Sequence, residues 1–117
     1  ICRSTGGANA GHTIYANGQK YIFRLLPSGL LHTKTTGIIG NGCVLSIADL
    51  LEELDSLKKL GLDVSDRLKI SLQAHLLFDY HKKIDFELEE RKGKNKIGTT
   101  CKGIGPAYTD KISRIGI

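Results

Sequence analysis

Residues 6–13 read Gly-Gly-Ala-Asn-Ala-Gly-His-Thr, placing three glycines, an asparagine and a histidine in one short stretch. Glycine permits positive φ and lacks the Cβ that would hold a ligand away, so successive N–H groups can converge on an anion. Asn9 adds an amide able to read a base or a carbonyl. His12 adds a side chain able to donate a proton near neutral pH. Alone, the same text also fits a glycine-rich turn between two strands.

A second glycine-dense segment, residues 97–108, reads IGTTCKGIGPAY. Thr99 and Thr100 supply hydroxyls, Gly98, Gly103 and Gly105 let the backbone bend close, and Pro106 suits the first turn of a short helix running through Arg114. A helix start beside hydroxyls is an anion site in outline, to which Lys102 and Arg114 would add charge-assisted bonds. A plain loop with a solvated lysine fits the same residues equally well. Cys2, Cys43 and Cys101 form no C-x-x-C pair, and their odd number fits reduced thiols. His12, His32, His75 and His81 lack the spacing of a helical zinc pair, so no zinc site is expected.

Both segments need elements to hold them. Thr13 to Ala16 and Lys20 to Leu25 read as a hairpin about Asn17-Gly18, the pair a type I′ turn prefers. Gly37 to Gly40 and Cys43 to Leu45 read as β-type runs around a Gly40-Asn41-Gly42 turn, at sheet edges. Ser46 is a natural N-cap, with Asp49 three residues on. Leu50, Leu51, Leu54, Leu57 and Leu60 mark one helical face, and Gly61 the stop. A short strand near Leu68 to Ile70 precedes a longer helix expected from about Ala74 to Lys92, with an apolar stripe of Leu76, Leu77, Tyr80, Ile84 and Leu88 for the core. His75, Asp79 and His81 read as ordinary, partly exposed polar residues. Gly93 to Lys96 reads as a loop. The chain is glycine-punctuated and strand-rich to about Ile70 and mainly helical beyond. This suggests a sheet layer followed by a helical insertion, with the junction at Ser71 to Gln73.

The 117 residues are 40% hydrophobic and 25% charged, an ordinary globular composition. The chain starts at Ile1 and has no methionine, so it reads as a piece of something larger. No apolar run reaches bilayer-spanning length, so a soluble protein is expected. The net charge is +5. The cations crowd the last third, where Glu87, Glu89 and Glu90 interleave with them and offer helical i, i+3 and i, i+4 pairing, the mark of a solvated face.

Taken in order, GGANAGHT, LLPSG (residues 25–29), IIGNG (38–42), LLFDYH (76–81) and IGTTCKGIGPAY resemble the signature segments of the adenylosuccinate synthetase family, and the resemblance covers the whole chain. It implies an α/β fold: part of a central, mostly parallel sheet with flanking helices, related to the P-loop GTPases, followed by a helical subdomain. Residues 1–72 would be a partial nucleotide-binding domain, and residues 73–117 the start of the helical subdomain with the IMP-phosphate loop. The implied activity is GTP-dependent ligation of IMP and L-aspartate, through 6-phosphoryl-IMP, in AMP biosynthesis. By motif match, His12 is the catalytic acid, and Asn9, Ala10, Gly11 and His12 contact IMP. Gly11, His12 and Thr13 approach GTP, and the Gly11 carbonyl faces Mg2+. Thr100 binds the IMP phosphate, and Arg114 reaches that phosphate from the other subunit of a homodimer. A cytoplasmic location is implied, with no nucleic-acid or membrane partner.

Two departures stand out: Ala8 replaces a residue that is often polar in the family, and Cys101 stands where glycine or lysine is usual. The family's phosphate loop and its catalytic aspartate belong to a segment ahead of Ile1, so residues 1–117 alone are expected to be inactive. The competing readings are a non-catalytic module gripping RNA or another polyanion through the basic last third, and an inactive truncated paralogue. Against the RNA reading, only seven aromatic residues are present, and most fall at strand or core positions.

Overall fold

The computed structural model describes residues 1–95 and 97–117, so the end of the expected 93–96 loop, Lys96, lies outside the described residues. Among the described residues, six strands and three α-helices follow in the order β1 (Cys2–Gly6), β2 (His12–Ala16), β3 (Gln19–Phe23), β4 (Gly37–Leu45), α1 (Ile47–Lys59), β5 (Leu68–Ile70), β6 (His75–Leu76), α2 (Asp79–Arg91) and α3 (Ile104–Ser113). Strand β4 is the axis of the molecule. Strands β1, β5 and β6 all pair with it in parallel, so this is an α/β sheet of the parallel kind. The hairpin of β2 and β3 stands apart as its own antiparallel ribbon. Asn17 and Gly18 at its tip have φ of 51° and 75°, as a type I′ turn requires.

The Gly40-Asn41-Gly42 turn does not form. These residues continue β4 as one nine-residue strand, and none of the three has positive φ. The glycines serve a close approach instead. A Cβ at Gly42 would lie 2.2 Å from the Ser4 carbonyl oxygen, and one at Gly40 would lie 3.2 Å from that of Arg3. The β1–β4 register shifts between Arg3 and Thr5 at this level. Strand β4 therefore carries the extra residue, Gly40 and Asn41 standing against Ser4 alone, and it bulges where its two glycines let β1 pass close.

Helix α1 forms as its ends dictate. Ser46 Oγ accepts the Asp49 N–H at 3.3 Å. At the far end Gly61, with φ of 82°, donates to Lys58 O, and Leu62 donates to Leu57 O, which is a Schellman stop. Its buried face is narrower than the five leucines suggest. Leu50 and Leu57 are buried, Leu54 packs alongside, and Leu51 and Leu60 are exposed. Glu53 takes the inward position between them. The main core gathers Phe23, Leu25, Leu26, Ile39, Leu45 and Leu57 between hairpin, sheet and α1.

The second helix departs further from expectation. Ala74 to Phe78 are not helical: His75 and Leu76 pair with Val44 and Leu45 as β6, and Leu77 N donates to Leu45 O. The junction expected at Ser71 to Gln73 thus falls between two strands of β4's own neighbourhood. Helix α2 begins at Asp79, and its stripe faces the other way. Tyr80, Ile84 and Leu88 are exposed, whereas His81, Asp85 and Glu89, spaced four apart, face the 98–103 segment and α3. His75 and His81 are buried rather than partly exposed. Tertiary hydrogen bonding has overridden the apolar pattern. A smaller core of Val44, Leu77 and Ala107 seats α3 on the sheet. Among the described residues, no helix is long and apolar enough to cross a membrane.

Candidate functional site

The first glycine stretch leaves the C-terminal end of β1, which lies beside β4, the place where open parallel sheets hold ligands. Its path is fixed from two sides. Arg3 turns its guanidinium back over the strand end, donating to the carbonyls of Gly7 (2.8 Å), Thr5 (3.3 Å) and Arg24. Gly6 must be glycine here, because its φ is 96° and a Cβ would meet Arg3 Nη2 at 3.0 Å. From the other side α3 presses in. Ile104 Cδ1 would lie 2.5 Å from a Cβ on Gly7, and Tyr108 Oη accepts the Gly6 N–H at 2.7 Å.

Asn9, Ala10, Gly11, His12 and Thr13 all emerge exposed from this anchored base. His12 opens β2, and its backbone is set by pairing with Phe23. The residue borders a cavity of about 290 Å³ shared with Arg3, Leu26, Pro27 and Ser28. The LLPSG segment therefore faces the histidine. That segment is held by Glu53, whose carboxylate accepts the N–H groups of Arg24, Leu25 and Leu26 at 2.7, 2.8 and 3.3 Å. Gly11 is open: a Cβ there would find its nearest neighbour, Phe23 O, at 3.8 Å.

The second segment is laid out by the carboxylates of α2. Glu89 Oε1 accepts the Gly98 N–H, and Asp85 Oδ2 accepts the Gly103 N–H at 2.9 Å. Burial works against the Glu89 charge, but the Gly98 N–H, the Lys92 ammonium and the Thr99 backbone outweigh it and hold its pKa below the usual glutamate value. Cys101 sits at φ of 50°, and its N–H is taken by Thr99 Oγ1. Gly103, with φ of 74°, passes so close to α2 that a Cβ would lie 2.7 Å from the His81 carbonyl carbon.

These contacts change the anion site outlined from the sequence. The Asp85 carboxylate already occupies the Gly103 N–H at the start of α3, so an anion there would meet a negative charge. Lys102 does not join it. Its side chain borders a different cleft, of about 350 Å³, with Lys20, Arg24, Asp49 and Glu52. Thr100 is exposed. Arg114 is exposed at the far end of α3, about 15 Å of helix from Gly103. Within one chain, Thr100 and Arg114 are not brought together.

Four positioning groups, Arg3, Glu53, Asp85 and Tyr108, were not legible as such from spacing. A fifth contact joins α2 to α3. His81 Nδ1 accepts the Phe78 N–H, which leaves the proton on Nε2, 3.1 Å from Asp110 Oδ2. The Tyr80 hydroxyl donates to the same carboxylate at 2.8 Å and, with His81, holds the Asp110 pKa below its usual value. The i, i+4 rule would have paired His81, Asp85 and Glu89, and Ile104 with Tyr108. Nothing in the sequence marks Arg3.

The class these features define is an α/β protein whose parallel sheet presents an exposed histidine on an anchored glycine loop at its strand ends. The family model for adenylosuccinate synthetase matches residues 1–117, and the chain belongs to that family. The chain is 55% identical to the adenylosuccinate synthetase of Phaeodactylum tricornutum and 52% identical to that of Trichoplax adhaerens, each over all of its length. It spans 22% and 27% of those proteins, about a quarter of the relatives it matches. Among solved structures, the fully ligated adenylosuccinate synthetase of Plasmodium falciparum superposes with a TM-score of 0.87 at 49% identity, over 99% of this chain and 27% of that one. The succinoaminodeoxyadenylate synthetase of cyanophage S-2L, bound to dGMP and dATP as an energy donor, gives 0.71 at 28% identity, over 97% of this chain and 30% of that one.

Proposed function

We propose that the protein carrying this chain is a ligase of AMP biosynthesis, joining IMP and L-aspartate at the expense of GTP. The observation that carries this reading is the placement of His12, exposed on a loop whose base is held by Arg3 and α3, at the strand ends of a family member's sheet. In the first step O6 of IMP attacks the γ-phosphorus of GTP, the bond to GDP breaks, and N1 gives up its proton. In the second, the aspartate amino group forms the C6–N bond and phosphate departs with O6. The oxygen of a carbonyl leaves poorly, and phosphorylation makes it a leaving group.

Charge builds on the transferring phosphoryl oxygens, so a donor aimed at them lowers the barrier. His12 is that donor, acting as acid and partly as an electrostatic stabiliser. Asn9 to His12 contact IMP, Gly11 to Thr13 approach the GTP phosphates, and Thr100 takes the IMP phosphate. Arg114 serves that phosphate in a second subunit of a homodimer, a reading favoured by its distance from Thr100 along α3. The proton acceptor for N1 is not among the residues assigned in this chain. Magnesium, when bound, offsets charge on the phosphates. The Gly11 carbonyl is the hard oxygen such an ion takes, and the glycine is open on the ligand side.

The polyanion reading loses its basis where cations are paired: Lys82 with Asp49 and Asp79, Arg91 with Glu87, Lys92 with Glu89. A turnover assay tests the ligase reading. Adenylosuccinate should form only with IMP, L-aspartate, GTP and magnesium together, and His12→Asn should cost about 100-fold or more in kcat. Equal turnover with ATP, or full activity in His12→Asn, would refute it.

A further inference from the structure

Beside the β4 bulge, polar groups of β1 and β4 face α3, and one side chain of that helix meets three of them. The Tyr108 hydroxyl donates to Gly42 O at 2.7 Å, accepts from the Gly6 N–H at 2.7 Å, and lies 3.1 Å from Thr5 Oγ1. A phenol has one proton and two lone pairs, so its capacity is fully used. Gly6 is the last residue of β1 and the first of the glycine loop, while Gly42 lies in the neighbouring strand. The same helix that supplies Tyr108 begins at Gly103, where Asp85 fixes the second glycine segment. One turn before Tyr108, Ile104 fills the space over Gly7. Helix α3 is thus a rigid brace with the second segment at one end and the base of the His12 loop against its side.

We propose that Tyr108 is a positioning residue that locks the His12 loop to α3, so that the two glycine segments are held in one geometry. This rests on the reading of His12 as the acid in phosphoryl transfer. Phenylalanine at 108 keeps the ring beside Val44 and Ala107 but strands the Gly6 N–H and the Gly42 carbonyl. The loop then loosens at its first residue while the fold around it stays. Lys111 provides the control, because its ammonium ties α3 to Asn41 O at 2.6 Å without touching the loop.

The experiment compares Tyr108→Phe and Lys111→Ala in the protein that carries this chain, by amide hydrogen exchange and by steady-state kinetics per titrated active site. In Tyr108→Phe, exchange over residues 6–12 should speed up about tenfold, and kcat should fall about tenfold with the KM for L-aspartate unchanged. Lys111→Ala should change neither. Unaltered exchange over 6–12 overturns the lock. Faster exchange with kcat per site intact overturns the positioning role, since a merely structural residue lowers the active fraction and not its turnover. If the wild-type protein makes no adenylosuccinate, the function proposed above fails, and the exchange data still decide the lock. Should Tyr108→Phe be insoluble, Thr5→Val removes one contact of the three and is read the same way, with about a threefold rise in exchange expected.

Discussion

Glu53 offers a sharp test of what holds the segment facing His12. It is 7% exposed, on the inward face of α1. Oε1 accepts from Arg24 N and Leu26 N, and Oε2 accepts from Leu25 N. Glu53→Ala strands the N–H groups of two buried residues, Leu25 and Leu26, while that of exposed Arg24 can turn to water. At about 1–3 kcal/mol for each stranded group, the loss is roughly 2–6 kcal/mol. A domain's whole stability is only about 5–15 kcal/mol, so this one residue is a large share of it. Glu53→Gln separates geometry from charge. With its carbonyl in the Oε1 place, two acceptances survive and the amide NH2 confronts Leu25 N–H, for a loss of about 1–3 kcal/mol. The assay is urea denaturation of the protein carrying this chain, with amide exchange at residues 24–26 read alongside and the m-value required to stay constant. If Glu53→Ala shifts stability by less than about 0.5 kcal/mol, or if the alanine variant is no worse than the glutamine, the triple acceptance is not what holds the segment.

Three other outcomes follow from the same reasoning. Gly18→Ala meets no atom within 4 Å and should cost only the strain of positive φ, about 1 kcal/mol, whereas Gly42→Ala drives a Cβ to 2.2 Å from Ser4 O and should abolish soluble expression or cost about 3 kcal/mol or more. Comparable urea midpoints for the two would contradict the bulge. His75 is buried, and desolvation first, then the nearby Lys111 ammonium, push its pKa below the usual histidine value against the opposing pull of Asp110. The unfolded chain therefore takes up a proton that the folded one refuses. The stability His75 contributes is full above about pH 6.5 and is lost as pH falls from there toward its folded pKa. His75→Leu should flatten the dependence of the urea midpoint between about pH 7.5 and 5.5, and an unchanged slope would refute it. Burial raises the Cys43 pKa while Cys2 is exposed, so a thiol reagent should label Cys2 at least about 100-fold faster than Cys43 in the native state. Equal labelling would show that the centre of β4 opens readily.

What the sequence disclosed and what it hid divide along a physical line. Features governed by neighbours in the chain were legible: the Asn17-Gly18 turn, the Ser46 cap and the Gly61 stop depend on a few residues' φ, ψ and one local hydrogen bond each. Features governed by distant partners were not. Gly40 and Gly42 look like turn residues because glycine's two uses, positive φ and close approach, are the same letter, and only β1's passage selects the second. Helix α2 shows the same limit more strongly. Its apolar stripe predicts burial of Ile84 and Leu88, yet the inward face carries His81, Asp85 and Glu89, because the 98–103 backbone must have its N–H groups accepted and α2 supplies the acceptors. For the site itself, the exposed residues Asn9 to Thr13 were readable as text, while Arg3, Glu53 and Tyr108, the groups that hold them in place, were not. Those three bind backbone atoms, and a backbone atom has no signature in the sequence. It follows that substitutions at the readable residues should remove chemistry, and substitutions at the unreadable ones should remove order first and chemistry second. Exchange rates measured beside turnover separate the two.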